Sequence, residues 1–166
     1  SGPGHIAYAK EFSRRRTLND ANGTLNRLYV VEPTPSVTGS TADHRLPMRA
    51  SDVELFARVL AAKLGLGGSA SAPAGTEKWL DAVAKDLQAN RGKSLVVAGE
   101  FQSGAVHALA HAINAALGNV GATLYYTDSN EIEPTNALAS FRELCADMDG
   151  GKVDTLIILG GNPVYD

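Results

Sequence analysis

Four short apolar runs, set between segments of helical period, constrain this chain more than anything else in it. They are residues 28–31 (LYVV), 94–98 (SLVVA), 122–126 (ATLYY) and 155–159 (TLIIL). Their apolar character is continuous rather than alternating. That suits strands buried on both faces, as in parallel sheets, although a short run of this kind does not by itself exclude a buried helical turn. Between the later runs, residues 105–117 and 135–148 carry helical periodicity. Strand, helix, strand, helix, strand at this spacing predicts right-handed parallel crossovers. The expected fold class is α/β: a three-layer, doubly wound, mostly parallel sheet of at least four strands.

The first half reads less regularly. Residues 5–17 form an expected amphipathic helix with Ile6, Ala9 and Phe12 on one face, and Asn19, Asp20, Asn22 and Gly23 make a turn-rich break. A helix is expected over 52–64, where Val53, Phe56, Val59, Leu60 and Leu64 keep its period and Gly65, Gly67 and Gly68 end it. Residues 67–75 have the composition of a flexible internal linker, and Trp79, Leu80, Val83 and Leu87 mark a helix over 76–89. The opening Ser1-Gly2-Pro3-Gly4 reads as a loop or an expression scar. At the other end the chain stops just past an apolar run and its turn, where an α/β unit would continue into a helix. The expectation is a single domain excised from a longer subunit.

At 166 residues, with 44% hydrophobic and 20% charged residues, the chain can bury one proper core. A net charge of −3 offers no footprint for nucleic acid, and the one basic cluster, Arg14-Arg15-Arg16, reads as a solvated helix face. No apolar stretch is long enough to span a membrane, and no cleavable signal pattern is present. Cys145 is the single cysteine, read as a small buried hydrophobe. One thiol can make neither an intrachain disulfide nor an iron-sulfur site, so no cluster resides in this chain.

Several residues are placed for chemistry. Glu32 directly follows the first apolar run, before Pro33 and Pro35. An acid at the carboxyl end of a parallel strand is where dinucleotide folds accept hydrogen bonds from a ribose; the other reading is a solvated loop acid. Ser51 or Asp52 opens a helix and suits an N-cap whether or not a nucleotide is near. Gly160, Gly161 and Asn162 offer lightly covered backbone amides after the last run, with an Asn-Pro turn at Pro163 as the competing account. Residues 99–104 (GEFQSG) lie where a helix N-terminus could meet a phosphate. They lack the Lys-Ser/Thr ending of a P-loop, which favours a turn capped by Ser103. His107 and His111 share a helix face, but Ala108 stands where a zincin helix has Glu and no third ligand is spaced to join them. Asp43, His44 and Arg45 share a loop, without the strained nucleophile turn that hydrolysis needs. No catalytic and no metal-binding residue is expected.

The order of these segments resembles the nucleotide-binding region of the molybdopterin oxidoreductase superfamily. That pattern is a strand ending in an acid and Pro, then Ala-Asp, a short apolar stretch, Arg-Pro-Gly-Thr-Asp and an Ala/Leu-rich helix. Here the counterparts are Glu32-Pro33, Ala42-Asp43, Leu46-Pro47-Met48, Arg49-Ala50-Ser51-Asp52 and the helix from Val53. Asn114-Ala-Ala-Leu-Gly-Asn-Val-Gly121 is similar to the family's Asn-x-x-x-Gly-Asn-x-Gly run, and Gly160-Gly-Asn-Pro163 to its strand-terminal Gly-x-Asn-Pro. The nearest branch is the cofactor-less domain of the large iron-sulfur subunit of alternative complex III, a quinol:electron acceptor oxidoreductase. The resemblance implies a non-catalytic structural domain of a respiratory complex. Its partners would be other domains of its subunit and membrane-complex subunits, at the outer, periplasmic face of the bacterial cytoplasmic membrane. It implies Glu32, Asp52, Gly160 and Asn162 as vestigial or weak contacts for molybdopterin guanine dinucleotide, with iron-sulfur clusters elsewhere in the parent. The chain departs from the pattern at Ala50 and Ser51, where the family has Pro-Gly and backbone meets the guanosine end; a β-carbon there crowds a ligand. An active dinucleotide-binding domain, and a free-standing nucleotide-binding or interaction domain, are the alternative readings.

Overall fold

The computed structural model describes residues 5–17, 25–128 and 135–165; the opening residues 1–4 and the break expected at Asn19 to Gly23 lie outside them. The chain divides into two compact units, the first ending at Tyr126 and the second beginning at Thr127.

In the first unit the order is α1 (His5–Arg14), β1 (Tyr29–Glu32), α2 (Val37–Ser40), β2 (His44–Pro47), a 3-10 turn (Ala50–Asp52), α3 (Val53–Lys63), α4 (Glu77–Ala89) and α5 (Gly104–Ala116). β1 and β2 pair in parallel, Tyr29 opposite His44 and Glu32 opposite Pro47. The crossover is only residues 33–43, short for a parallel connection, which ordinarily takes a dozen residues or more. Pro33 and Pro35 keep its start out of regular structure. Ser36 then caps the single turn of α2, its Oγ accepting from Gly39 N at 3.0 Å.

The expected sheet of at least four strands, and with it the three-layer architecture, is not found: among the described residues the sheet has two strands. The other apolar runs join no strand ladder. At 94–98 the backbone of Val96 is engaged by the side chain of Asn114, not by a strand. In 122–126 there is one isolated bridge, Val120 to Leu124. An apolar run reports hydrophobicity, not a pairing partner, and these segments leave Leu95, Val97 and Ile157 half or more exposed.

The core of the first unit lies under the helices. Phe56, Val59, Leu60 and Ala61 of α3 meet Leu80, Val83 and Ala84 of α4 and Ile113 and Leu117 at the end of α5. Tyr29 joins the strands to this core: its ring stacks on His44, meets the edge of Trp79, and its hydroxyl donates to Asp86 at 3.1 Å. α3 and α5 end alike. Gly65 and Gly118 take positive φ (88° and 69°), letting Leu66 N reach Ala61 O and Asn119 N reach Asn114 O, so that terminal carbonyls are satisfied.

In the second unit α6 (Ala137–Asp149) is capped by Asn136, whose Oδ1 accepts from Ala139 N at 3.0 Å. No α6 residue is buried; Leu138 and Phe141 are exposed, and Cys145 is half-buried rather than the buried hydrophobe expected.

Candidate functional site

The strand end that carries Glu32 is the place where the sequence concentrates its candidates. Residue alternation turns the Glu32 side chain toward the crossover. There its Oε1 accepts from Arg45 Nε at 2.6 Å and from Ser36 N at 3.1 Å, with the side chain 12% exposed. A β-carbon on Gly39 would fall 1.7 Å from the same oxygen, so the carboxylate occupies the space that a glycine leaves open. Hydrogen bonding by Ser36, then by Arg45, holds the Glu32 carboxyl below its ordinary pKa. The solvated-acid reading therefore fails: Glu32 bridges β1, α2 and β2.

Asp43 is occupied in the same way. Its two oxygens receive Arg16 Nη1 and Nη2 at 2.8 and 2.7 Å, a bidentate pair, and Oδ2 also accepts from Leu28 N at 2.8 Å. Arg16 and that amide hold its carboxyl well below the usual range. Arg16 is thus no part of a solvated face, and its Nη1 further donates to Asn26 O at 2.6 Å.

Asp52 ends the 3-10 turn and precedes α3, yet its side chain makes no capping hydrogen bond; it accepts from Ser51 Oγ at 3.1 Å. Ser103 likewise occupies the N-cap position of α5 without capping it. Its hydroxyl donates to Glu54 Oε2 at 2.8 Å, joining α5 to the first turn of α3, while Arg58 donates to Glu54 Oε1. Arg58, then Ser103, lower the Glu54 pKa. Glu32 and Asp52 belong to the first unit. Gly160 and Asn162 belong to the second, where Gly160 has φ +79° and Asn162 supports a turn, its Oδ1 accepting from Val164 N and its O from Tyr165 N.

The most enclosed polar cluster is one the sequence presented only as a family motif. Asn114, 2% exposed, donates from Nδ2 to Val96 O at 2.6 Å and accepts at Oδ1 from Val96 N at 2.9 Å and from Asn119 Nδ2 at 3.0 Å. Asn119 is fully buried and also meets Ser94 Oγ; Thr123 Oγ1 donates to Ser94 O. Two polar side chains in an otherwise Ala- and Leu-rich helix end were the available signal, since a buried amide must find partners.

His111 Nδ1 hydrogen-bonds with Tyr126 Oη at 2.7 Å, and no group of three or more His, Cys, Asp or Glu gathers among the described residues. Two open hollows of about 470 and 270 Å³ flank the 65–75 loop. Neither is lined by Glu32, Asp43 or Asp52, and only Lys63 and Glu77 in one and Arg58 in the other bring charge to them. No helix among the described residues is long and apolar enough to cross a membrane. No protein-family model matches the sequence, and no curated protein is significantly similar to it.

Proposed function

We propose that this chain is a non-catalytic structural domain of a molybdopterin oxidoreductase-like subunit in a respiratory quinol-oxidising electron-transfer complex. Its work is to brace the neighbouring domains of that subunit while electrons pass through iron-sulfur clusters carried elsewhere in the parent. The lineage rests on the ordered motifs from Glu32-Pro33 to Gly160-Gly-Asn-Pro163. One observation carries the structural role. The acid in the ribose-binding position, Glu32, has its Oε1 committed to Arg45 and Ser36 against the bare face of Gly39. A nucleotide hydroxyl at Oε1 would compete with an interaction that joins both strands.

The residues do not fit a guanine dinucleotide well. Ala50 and Ser51 put β-carbons where the family has Pro-Gly, Ser51 directs its hydroxyl at Asp52, and Glu32 is engaged by its own crossover. Glu32 and Asp52 in the first unit, and Gly160 and Asn162 in the second, stand on this reading as vestigial contacts, and no chemical step is assigned to them. The subunit would work at the outer face of the cytoplasmic membrane among membrane-complex partners.

The test is the coding sequence that follows Asp166, joined to purification of the parent with its partners. Cysteine clusters of iron-sulfur spacing downstream, and co-purification with a quinol-oxidising membrane assembly, are expected. A reading frame that closes shortly after Asp166 would overturn the assignment and leave a free-standing domain.

A further inference from the structure

α5 carries two imidazoles whose chemistry the fold leaves largely unused. His107 and His111 stand one helical turn apart, so they share a face of α5 with their β-carbons about 5–6 Å from each other. That face flanks the core without entering it: Val106, Ala110, Ile113 and Asn114 are buried, whereas His107 is half-buried and His111 exposed. The two rings differ in what holds them. His111 is fixed from outside α5, its Nδ1 hydrogen-bonded with Tyr126 Oη at 2.7 Å and the two ring centroids 5.5 Å apart. The His107 ring makes no hydrogen bond, ion pair or ring contact among the described residues. A pair with a purely structural role would have both rings engaged. Between Lys93 and Arg142 the sequence contains no Lys or Arg, so the segment that carries these rings brings no fixed cation to repel a metal.

We propose that His107 and His111 form an exchangeable site for a borderline divalent transition cation of the Zn²⁺ class, with Tyr126 as its positioning residue. With Nδ1 of His111 taken by the phenol oxygen, Nε2 is the nitrogen left to a ligand. When Nδ1–H donates to Tyr126 Oη, Nε2 presents a lone pair, which is how outer partners fix the tautomer of metal-bound histidines. Metal–nitrogen bonds of about 2.0–2.1 Å let rings one turn apart converge on a single ion. Donor chemistry selects the class: imidazole nitrogens suit Zn²⁺, Ni²⁺ or Cu²⁺, whereas Mg²⁺ and Ca²⁺ take oxygen. Two protein ligands leave the remaining positions to water, so the ion exchanges and the fold does not depend on it. The proposal is independent of the respiratory assignment, since it uses only α5 and Tyr126.

Zinc chloride titrated into the full chain, followed through the imidazole ring resonances of its four histidines, tests it. Zn²⁺ should move the His107 and His111 rings together with one-to-one stoichiometry and leave those of His5 and His44 in place, and millimolar Mg²⁺ should not compete. His107→Gln and His111→Gln should each weaken binding about a hundredfold, the lower end of what two linked sites gain over one. Tyr126→Phe should keep the stoichiometry and weaken binding about tenfold, the modest end of the effect of an outer partner. His44→Gln and Cys145→Ser, which remove another imidazole and the single thiol, should change nothing. Neither ring of the pair lies in the core, so the metal-free unfolding midpoints read from Trp79 should stay close to the parent's. Should His107→Gln fail to fold, the parent's ring resonances and His111→Gln decide the matter. No movement of either ring in millimolar Zn²⁺, movement of one without the other, or full binding by His107→Gln or His111→Gln would overturn the proposal, and a Tyr126→Phe chain that binds like the parent would overturn the positioning role.

Discussion

Replacing Asn114 with leucine asks whether a side-chain amide does the work of a missing strand. The substitution nearly conserves volume, so it removes hydrogen bonds without opening a large cavity. Three groups lose a partner: Val96 N, Val96 O and one hydrogen of Asn119 Nδ2, whose other donates to Ser94 Oγ. Asn119 is fully buried and its amide hydrogen cannot turn to water, whereas Val96 is half-buried and its groups are partly rescued. An unsatisfied buried polar group costs about 1–3 kcal/mol, and with two of the three partly hydrated the sum comes to about 2–4 kcal/mol. For a chain of this size that is a fall in Tm of about 4–16 °C. Trp79 is the single tryptophan and packs against the core that contains Ile113 and Leu117, so its fluorescence in urea reports the unit concerned. Hydrogen exchange gives the local answer: the Val96 amide should lose its protection while amides in the middle of α3 keep theirs. A loss below about 0.5 kcal/mol, the range of an ordinary surface change, with Val96 still protected, would refute the reasoning.

Gly39→Ala should destabilise the crossover, because the new β-carbon and the Glu32 carboxylate cannot share one site. Overpacking of this kind costs about 1–3 kcal/mol, and thermal unfolding of Gly39→Ala, Glu32→Gln and the double variant should show strong non-additivity. The Asp43 carboxyl is held below its unfolded pKa, so its contribution is full at neutral pH and fades as pH falls below about 4 toward the lower folded value. The stability gap between the parent and Asp43→Asn should shrink between about pH 7 and about pH 3 in urea titrations followed through Trp79; a gap that widens toward acid would contradict that sign.

The helices were legible because their information is local. A period of three to four apolar residues in 53–63, 77–89 and 104–116 states both the element and its buried face, and Phe56, Leu80 and Ile113 lie where that period puts them. Strand pairing is not local. Residues 94–98 and 155–159 are as apolar as 29–32, but whether a run joins a ladder depends on what lies beside it, and for Val96 that is Asn114. β2 escaped notice for the opposite reason: His44 and Arg45 are polar and precede a proline, so the segment reads as a binding loop. At the candidate site Glu32 was legible as a strand-end acid, but its partners Arg45 and Gly39 were not, because their proximity is made by the turn of α2. Ser103 and Asp52 were legible as helix starts, yet neither caps with its side chain; Ser103 has Glu54 of another helix within reach, and Asp52 its neighbour Ser51.

The central claim is that the acids Glu32 and Asp43 are engaged within the fold itself and hold no nucleotide. Its most direct test is thermal unfolding of the chain, followed through Trp79, with GMP and GDP titrated to millimolar concentration. A native-state site occupied at about 100 times its Kd would add about 2.7 kcal/mol of stability, several degrees in Tm. The account predicts no movement of the midpoint for the parent chain. A saturable rise that Glu32→Gln or Asp52→Asn removes would contradict it.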